Sequence, residues 1–405
     1  MALRTVSSTR LRPLPLPIRI YNAVGKVSPY RPIHAEELMS RAQKQSRLRD
    51  FGPEDFLEPL EQLVTAINSE AKLHAFGHFV AQRRLVNLLN NRLRAVDWWK
   101  RHPEILEEKI APPVLVAGMQ RTGTTLMHRL LDLDPRLRAV KSWEALNPAP
   151  YTRKDPQSRI REARTSEKGL KYLAPDFFAI HPVEHLAPEE DVLLLDISMR
   201  STVAEATMHV PSFSSWLQDQ SQLPAYQFMR DLLKLMQWPT AKRQWILKSP
   251  HHLEWLETAE EVFPGTKYIQ THRHPREIVP SLCSMIYHGR VIFSGHNDPK
   301  EVGSLWINKM ERLLDQSMRF RESHSRQFLD VDYRAFVSNP MATMHSVYDF
   351  LGLDLDENHE ERIDAFLRIH RQHRFGKHQY VLGDFTDEDI MQRPVFANYV
   401  SRFNL

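Results

Sequence analysis

The chain has 405 residues, 42% hydrophobic and 26% charged, a balance that excludes a disordered or fibrous protein. Its 13 glycines argue against a sandwich or barrel with many tight turns. The single cysteine, Cys283, excludes a disulfide framework or a multi-thiolate metal site and points to a reducing compartment. Net charge is +4; residues 1–50 hold ten Lys/Arg against Glu36, Glu37 and Asp50, so this arm is +7 and residues 51–405 are −3. Global basicity is therefore no argument for nucleic acid.

The arm alternates cations with Leu, Ile and Tyr through LPLPIRIYNAVGKV. Its prolines and arginines break the apolar core that a signal peptide needs. No stretch approaches the ~18 apolar residues of a spanning helix. The expectation is a cytoplasmic protein that touches a membrane at most peripherally. Residues 1–35 then either meet anionic headgroups or form a solvated or loosely docked tail, since prolines spoil a continuous amphipathic helix.

Residues 53–102 read as helical. Pro53, Glu54 and Asp55 suit a first turn, and Phe56, Leu57, Leu60, Leu63, Val64 and Ile67 recur on one face. Leu85, Leu88, Leu89, Leu93 and Val96 make a second stripe, closed by His102-Pro103. From Pro112 the texture changes. PPVLVAG reads as a buried parallel strand, followed by a loop and an apolar helix over Leu126–Leu133. QWILKSP (244–250), KYIQTHR (267–273) and FLDVDYR (328–334) repeat the strand pattern, each followed by a helix: His252–Phe263, one from Pro275, and Met341–Leu351. Residues 197–243 and 297–327 read as helical insertions. The sum is an α/β fold with a parallel sheet flanked by helices and a ligand crevice at the strands' carboxyl ends.

The loop after the first strand is Gly118-Met119-Gln120-Arg121-Thr122-Gly123-Thr124-Thr125. Two glycines between a strand and a helix N-terminus make a nest of backbone N–H groups that favours phosphate. The spacing resembles the P-loop of nucleoside triphosphatases, with one departure. That motif wants Lys directly after the second Gly; here Thr124 stands there and the cation is Arg121, which weakens the Mg²⁺-triphosphate device. A second anion site follows from KYIQTHR, which puts Arg273 at a strand's carboxyl end and Ser281 two helical turns further on. Two sites on neighbouring strands imply a ligand with two separated phosphates.

With these residues the chain resembles the P-loop sulfotransferases that use 3′-phosphoadenosine-5′-phosphosulfate. It looks most like the bacterial branch with an N-terminal helical module, and is similar to tyrosylprotein sulfotransferases around GMQRTGTTLMHRLL. The resemblance runs over residues 35–385 through DFGPEDF, GMQRTGTT, KSWEALNP, WILKSPHHL, THRHPREIVPSL and HRFGKHQY. It implies an arm (1–35), a helical module (36–111), a sulfotransferase domain (112–385) and a C-terminal tail (386–405).

The resemblance also implies roles. Arg121, Thr122, Gly123, Thr124 and Thr125 would hold the 5′-phosphosulfate, and Arg273 and Ser281 the 3′-phosphate, for metal-free in-line transfer to an acceptor hydroxyl. Lys248, at its strand's end, would stabilise developing charge, or is a strand-end surface cation. Glu144 takes the catalytic base by an offset of a residue or two, or pairs with a cation at a rim. His181, followed by Glu189, Glu190 and Asp191, is another candidate for the catalytic base; its surroundings match no metal-ligand pattern, and no metal is expected. His251 and His252 follow Lys248, but Pro250 spoils their alignment. Arg374 and Lys377 would close over the nucleotide, or lie in a solvated loop.

Trp143, Tyr172, Phe177, Phe178, Phe213 and Trp216 fall in the variable segments 145–243 and 285–327 or at their margin. They suit an apolar acceptor, with a lipid or glycolipid alcohol favoured, or they are core. Competing readings are a phosphotransferase using Mg²⁺-nucleoside triphosphate, which wants Lys at 124 and a strand-end Asp, and a non-catalytic nucleotide-fold protein at a membrane surface. Oligomeric state is not legible in the residues.

Overall fold

The computed structural model describes residues 5–26, 31–151, 155–370 and 377–405. In chain order, β1 (Thr5–Val6) and α1 (Leu16–Gly25) form the arm; α2 (Ala35–Ser46), α3 (Leu57–Glu70) and α4 (Ala75–Arg101) form the helical module. The α/β part begins with β2 (Val114–Gly118), α5 (Thr124–Leu131) and β3 (Leu137–Ala139). Seven helices follow: α6 (Ser142–Leu146), α7 (Gln157–Leu173), α8 (Pro175–Ile180), α9 (Val192–Leu195), α10 (Val203–Thr207), α11 (Pro211–Gln218) and α12 (Leu223–Gln237). Then come β4 (Gln244–Lys248), α13 (Leu256–Val262), β5 (Lys267–His272), α14 (Pro275–Arg290), α15 (Pro299–His324) and β6 (Phe328–Asp332). The chain closes with α16 (Tyr333–Ser338), α17 (Pro340–Leu351), α18 (Glu357–Ile369), β7 (Lys377–His378) and α19 (Pro394–Phe403).

Five strands make one parallel sheet in the order β3-β4-β2-β5-β6. Its register sets Val116 against Lys248 on one side and Ile269 on the other. Every residue of β2 is buried, as a strand covered on both faces must be. The two-residue period of the strand sorts its side chains. Val114 and Val116 enter a smaller core with Met127, Leu130 and Val347, while Leu115 and Ala117 enter the large core that also contains the helical module. The central strand therefore packs α5 and α17 on one side and nearly all the insertions on the other. The phosphate-binding candidates lie where β2 and β5 both end.

Several expectations shift. The helix expected from His252 starts as a 3-10 turn at Pro250–Glu254, and α13 follows from Leu256. The strand FLDVDYR stops at Asp332, whose carboxylate accepts the Ala335 N–H at 2.8 Å and caps α16. The arm does form a helix. Pro13 and Pro15 precede α1, and Pro17 sits in its first turn, where an N–H has no helical partner to lose. The inner face of α4 carries a charge as well as leucines. Arg92 is fully buried, donates to Phe51 O, Pro53 O and Asp55, and lies 4.4 Å from the rings of both Phe56 and Phe228. It ties the start of the module to α12.

The arm is anchored far from its own neighbours in sequence. β1 pairs in parallel with β7, Thr5 opposite Lys377. Ser284 Oγ donates to Ser8 O at 2.8 Å and meets His378 Nε2 at 2.8 Å. Among the described residues, no helix is long and apolar enough to cross a membrane.

Candidate active site

The loop that leaves β2 is shaped by two glycines and a strained arginine. A Cβ on Gly118 would lie 2.3 Å from Thr271 Oγ1, so only glycine lets β2 and β5 close there. Gly123 has φ +92° and Arg121 φ +72°, both in the left-handed region. Thr122 is fully buried; its hydroxyl donates to Met119 O at 2.7 Å and so accepts from Thr271 Oγ1 at 2.5 Å. That latch fixes the loop to the sheet. Thr124 and Thr125 open α5, and their hydroxyls make no hydrogen bond among the described residues.

Arg121 turns inward. Its Nε donates to Ser281 Oγ at 3.1 Å and its Nη1 to Ile180 O at 3.0 Å. Burial lowers its pKa from the usual arginine value, yet such a guanidinium remains charged. Arg273 donates from Nη1 to Arg121 O at 3.0 Å and from Nε to Glu277 at 2.8 Å, and stacks 4.4 Å from the Tyr333 ring. Two strand-loop-helix units, β2–α5 and β5–α14, are thus joined side chain to backbone. Arg121, Arg273 and Ser281, more than 150 residues apart at the extremes, form one cluster.

Lys248 is 2% exposed and its Nζ lies 2.8 Å from Glu190 Oε1. It is therefore a buried paired cation and not a surface one. The next residue, Asp191, accepts the Lys248 N–H at 2.6 Å and meets His252 Nε2 at 2.7 Å, while His252 Nδ1 meets Tyr226 OH at 2.7 Å. His252 is thus locked behind the strand end. His251 is buried beside it with neither ring nitrogen partnered, and burial holds it well below the ordinary histidine pKa. His181 belongs to the cluster's rim, 4.0 Å from Glu189, and burial lowers its pKa.

Glu144 stands elsewhere. One oxygen bonds Arg138 Nη2 at 2.7 Å and the other accepts the Lys141 N–H at 3.0 Å, capping α6. Arg138 in turn holds Met236 O and Thr240 and covers the Trp245 ring at 4.4 Å. Both oxygens of Glu144 are engaged in joining β3, α6 and α12. The carboxylate beside the cations is Glu190, which the sequence reading noted only as an acid downstream of His181. The signal was present in the run Glu189-Glu190-Asp191, but nothing local placed it opposite β4. Arg374 lies outside the described residues. Lys377 lies in β7, with Tyr380 OH 3.4 Å from Arg273 Nη2 close by.

Arg121, Lys248 and Arg273 gather around the loop, where Glu189, Glu190, Asp191 and Glu277 also stand. Among the described residues the Thr124 and Thr125 hydroxyls make no hydrogen bond, so the loop keeps donors that suit an anion. Of the six aromatics, Phe178 and Phe213 are core, at 4% and 1% exposure, whereas Phe177 stacks near His181 with ring centroids 5.9 Å apart.

Residues 112–357 match the sulfotransferase family model. The chain belongs to the sulfotransferase family. It is 26% identical over 331 residues to the omega-hydroxy-beta-dihydromenaquinone-9 sulfotransferase Stf3 of Mycobacterium tuberculosis, covering 77% of this chain and 81% of that one. Protein-tyrosine sulfotransferase 2 of Gallus gallus is 23% identical over 293 residues, 71% of this chain and 64% of its own. Among solved structures, the sulfotransferase STF9 of Mycobacterium avium superposes with a TM-score of 0.82 at 26% identity, over 93% of this chain and 99% of that one. The protein is an enzyme of sulfuryl transfer, and the α/β sheet flanked by helices is that of its solved relatives.

Proposed function

We propose that this sulfotransferase moves the sulfuryl group of 3′-phosphoadenosine-5′-phosphosulfate to the hydroxyl of a hydrophobic acceptor. The observation that carries the reading is the convergence of Arg121, Arg273 and Ser281 through direct hydrogen bonds at 3.0–3.1 Å. These residues fit such a donor: a Cβ at residue 118 would close the cradle, and Arg121 and Arg273 bring two guanidinium groups to it. Thr122–Thr125 and Arg121 would hold the 5′-phosphosulfate, and Arg273 with Ser281 the 3′-phosphate. When bound, the donor supplies a sulfuryl group whose bond to the acceptor oxygen replaces its bond to phosphate oxygen.

The chain's own part is binding, charge and one proton. Arg121 and Lys248 place positive charge where negative charge develops. Glu190, paired with Lys248, accepts the acceptor's hydroxyl proton at its carboxylate, a role that passes to it from Glu144 because Glu144 is built into a helix cap. His181, at the rim of the same cluster, would orient the acceptor. A hydrophobic acceptor is supported by Phe177 at the rim and by the menaquinone derivative for which Stf3 is named. A lipid alcohol met at a membrane surface through the arm is the finer form of this reading.

Calorimetric titration with adenosine 3′,5′-bisphosphate, without metal, tests it. Tight binding should weaken at least tenfold, about 1.4 kcal/mol, in Arg273→Ala. Glu190→Gln should bind as the wild type does yet lose turnover, and Glu144→Gln should lose stability. Binding of Mg²⁺-triphosphate alone would put the phosphotransferase in its place.

A further inference from the structure

The face of α1 turned away from the protein is apolar. Leu16, Ile20 and Val24 follow one another at four-residue spacing and are 63%, 56% and 66% exposed, with Tyr21 beside them at 52%. The opposite face is the docked one. Ile18 and Asn22 are half-buried, and Asn22 Oδ1 accepts the Phe76 N–H at 2.8 Å, fixing α1 to the start of α4. A helix in water would present these faces the other way round.

The charge around the stripe has one sign. Residues 1–26 contain Arg4, Arg10, Arg12, Arg19 and Lys26 and no Asp or Glu. Arg12 pairs with Asp176, but the side chains of Arg10, Arg19 and Lys26 have no ion-pair partner among the described residues. Arg19 and Lys26 flank the stripe on the same side of the helix. An apolar stripe edged by unpaired cations suits one kind of partner, a bilayer surface bearing anionic headgroups.

The place of α1 gives that surface a use. On α4, one turn beyond Phe76, Phe79 is 49% exposed and lines a cleft of about 1090 Å³ between α4 and α7. Leu193 lines the cleft's far wall, and its N–H is bonded to the carbonyl of Glu190, the residue that faces Lys248. Arg83 and Arg161, also in the lining, have no ion-pair partner among the described residues. The cleft's lining thus includes Phe79, one turn from the Phe76 to which α1 is bonded, and Leu193, three residues from the proposed base.

We infer that α1 is an interfacial helix that seats the enzyme on an anionic lipid surface, with the neighbouring cleft turned to receive an acceptor from that surface. The docking surface stands on α1 alone; its use for catalysis rests on the lipid acceptor proposed above.

Sedimentation of the full chain with phosphatidylcholine vesicles, with and without phosphatidylserine, tests the docking. Wild type should partition onto the serine-containing vesicles at least tenfold better than onto phosphatidylcholine alone, and salt should release it. Ile20→Glu with Val24→Glu should lower that partition at least tenfold while leaving the circular dichroism and adenosine 3′,5′-bisphosphate affinity unchanged, because neither residue faces α4. Arg19→Ala with Lys26→Ala should abolish the preference for phosphatidylserine. Equal partition of wild type and the Glu variant, or no wild-type preference for anionic vesicles, overturns the inference. Loss of nucleotide binding in the wild type would instead strike the function proposed above and leave vesicle docking standing.

Discussion

Replacing Gly118 with alanine should damage both fold and nucleotide site, and the structure says where the damage lies. The added Cβ would sit 2.3 Å from Thr271 Oγ1, 2.9 Å from Thr124 Cγ2 and 3.0 Å from Thr122 Oγ1. Overpacking of this kind costs about 1–3 kcal/mol. Forcing Thr271 aside also breaks its bond to Thr122, worth about 0.5–1.5 kcal/mol. The same shift moves the loop proposed to hold the 5′-phosphate, so affinity for adenosine 3′,5′-bisphosphate should fall at least tenfold. Urea unfolding and calorimetric titration read the two effects separately. Adding Thr271→Ala to Gly118→Ala removes the deepest overlap, leaving contacts only with the ends of two side chains. The double variant should therefore be more stable and bind more tightly than Gly118→Ala alone, although Thr271→Ala by itself weakens the latch. Such opposite signs in a double-mutant cycle are diagnostic of direct contact. If Gly118→Ala behaves as wild type, or if Thr271→Ala makes it worse by its own single-site cost, the close approach of β2 and β5 is not what holds the loop.

Two further outcomes can be checked without any substrate. Burial pushes the Cys283 thiol up to about 12, so iodoacetamide should leave the native chain unlabelled at pH 8 and modify one thiol per chain in urea; native labelling at the unfolded rate would refute its burial. Burial, followed by the nearby Arg121 and His288, pushes His378 down to about 3. Unfolded, the same group takes a proton near 6.5, so its contribution to stability is present above that pH and is lost as pH falls towards 3. At pH 5 the loss is about 2 kcal/mol from this residue. The fall in urea midpoint between pH 7.5 and pH 5 should be smaller in His378→Gln, and an equal fall would show that His378 titrates normally.

Local pattern carried the sheet. VLVAG, WILK and YIQTH are apolar runs bounded by turn residues, and the loop between β2 and α5 declares itself by two glycines with a cation between them. Arg121, Arg273 and Ser281 were legible because each follows its strand at short range, so strand-end position sufficed to bring them together. Glu190 was not legible in this way. It reaches Lys248 from a segment 58 residues earlier that has no strand of its own to give its direction. Glu144 misled for the opposite reason. Its local sequence suits a strand-to-helix turn near the loop, but Arg138, six residues earlier and held against Trp245 and Thr240, claims its carboxylate. The helix α1 was missed because prolines were weighed as breakers, when their positions before and at its first turn make them starters.

The pairing of β1 with β7 has a consequence for biosynthesis. Thr5 and Lys377 face each other across 372 residues (377 − 5). At about 5–20 residues per second, a ribosome needs roughly 20–75 s after making the first strand to make the second. Throughout that interval β1 is without its partner strand, while α1 already has α4 to dock on. The strand β1 must therefore wait, and its bonds then bring residues 5 and 6 beside the strand next to Tyr380, itself a neighbour of Arg273. Closure of that wall of the proposed nucleotide site therefore waits on residues 377 and 378.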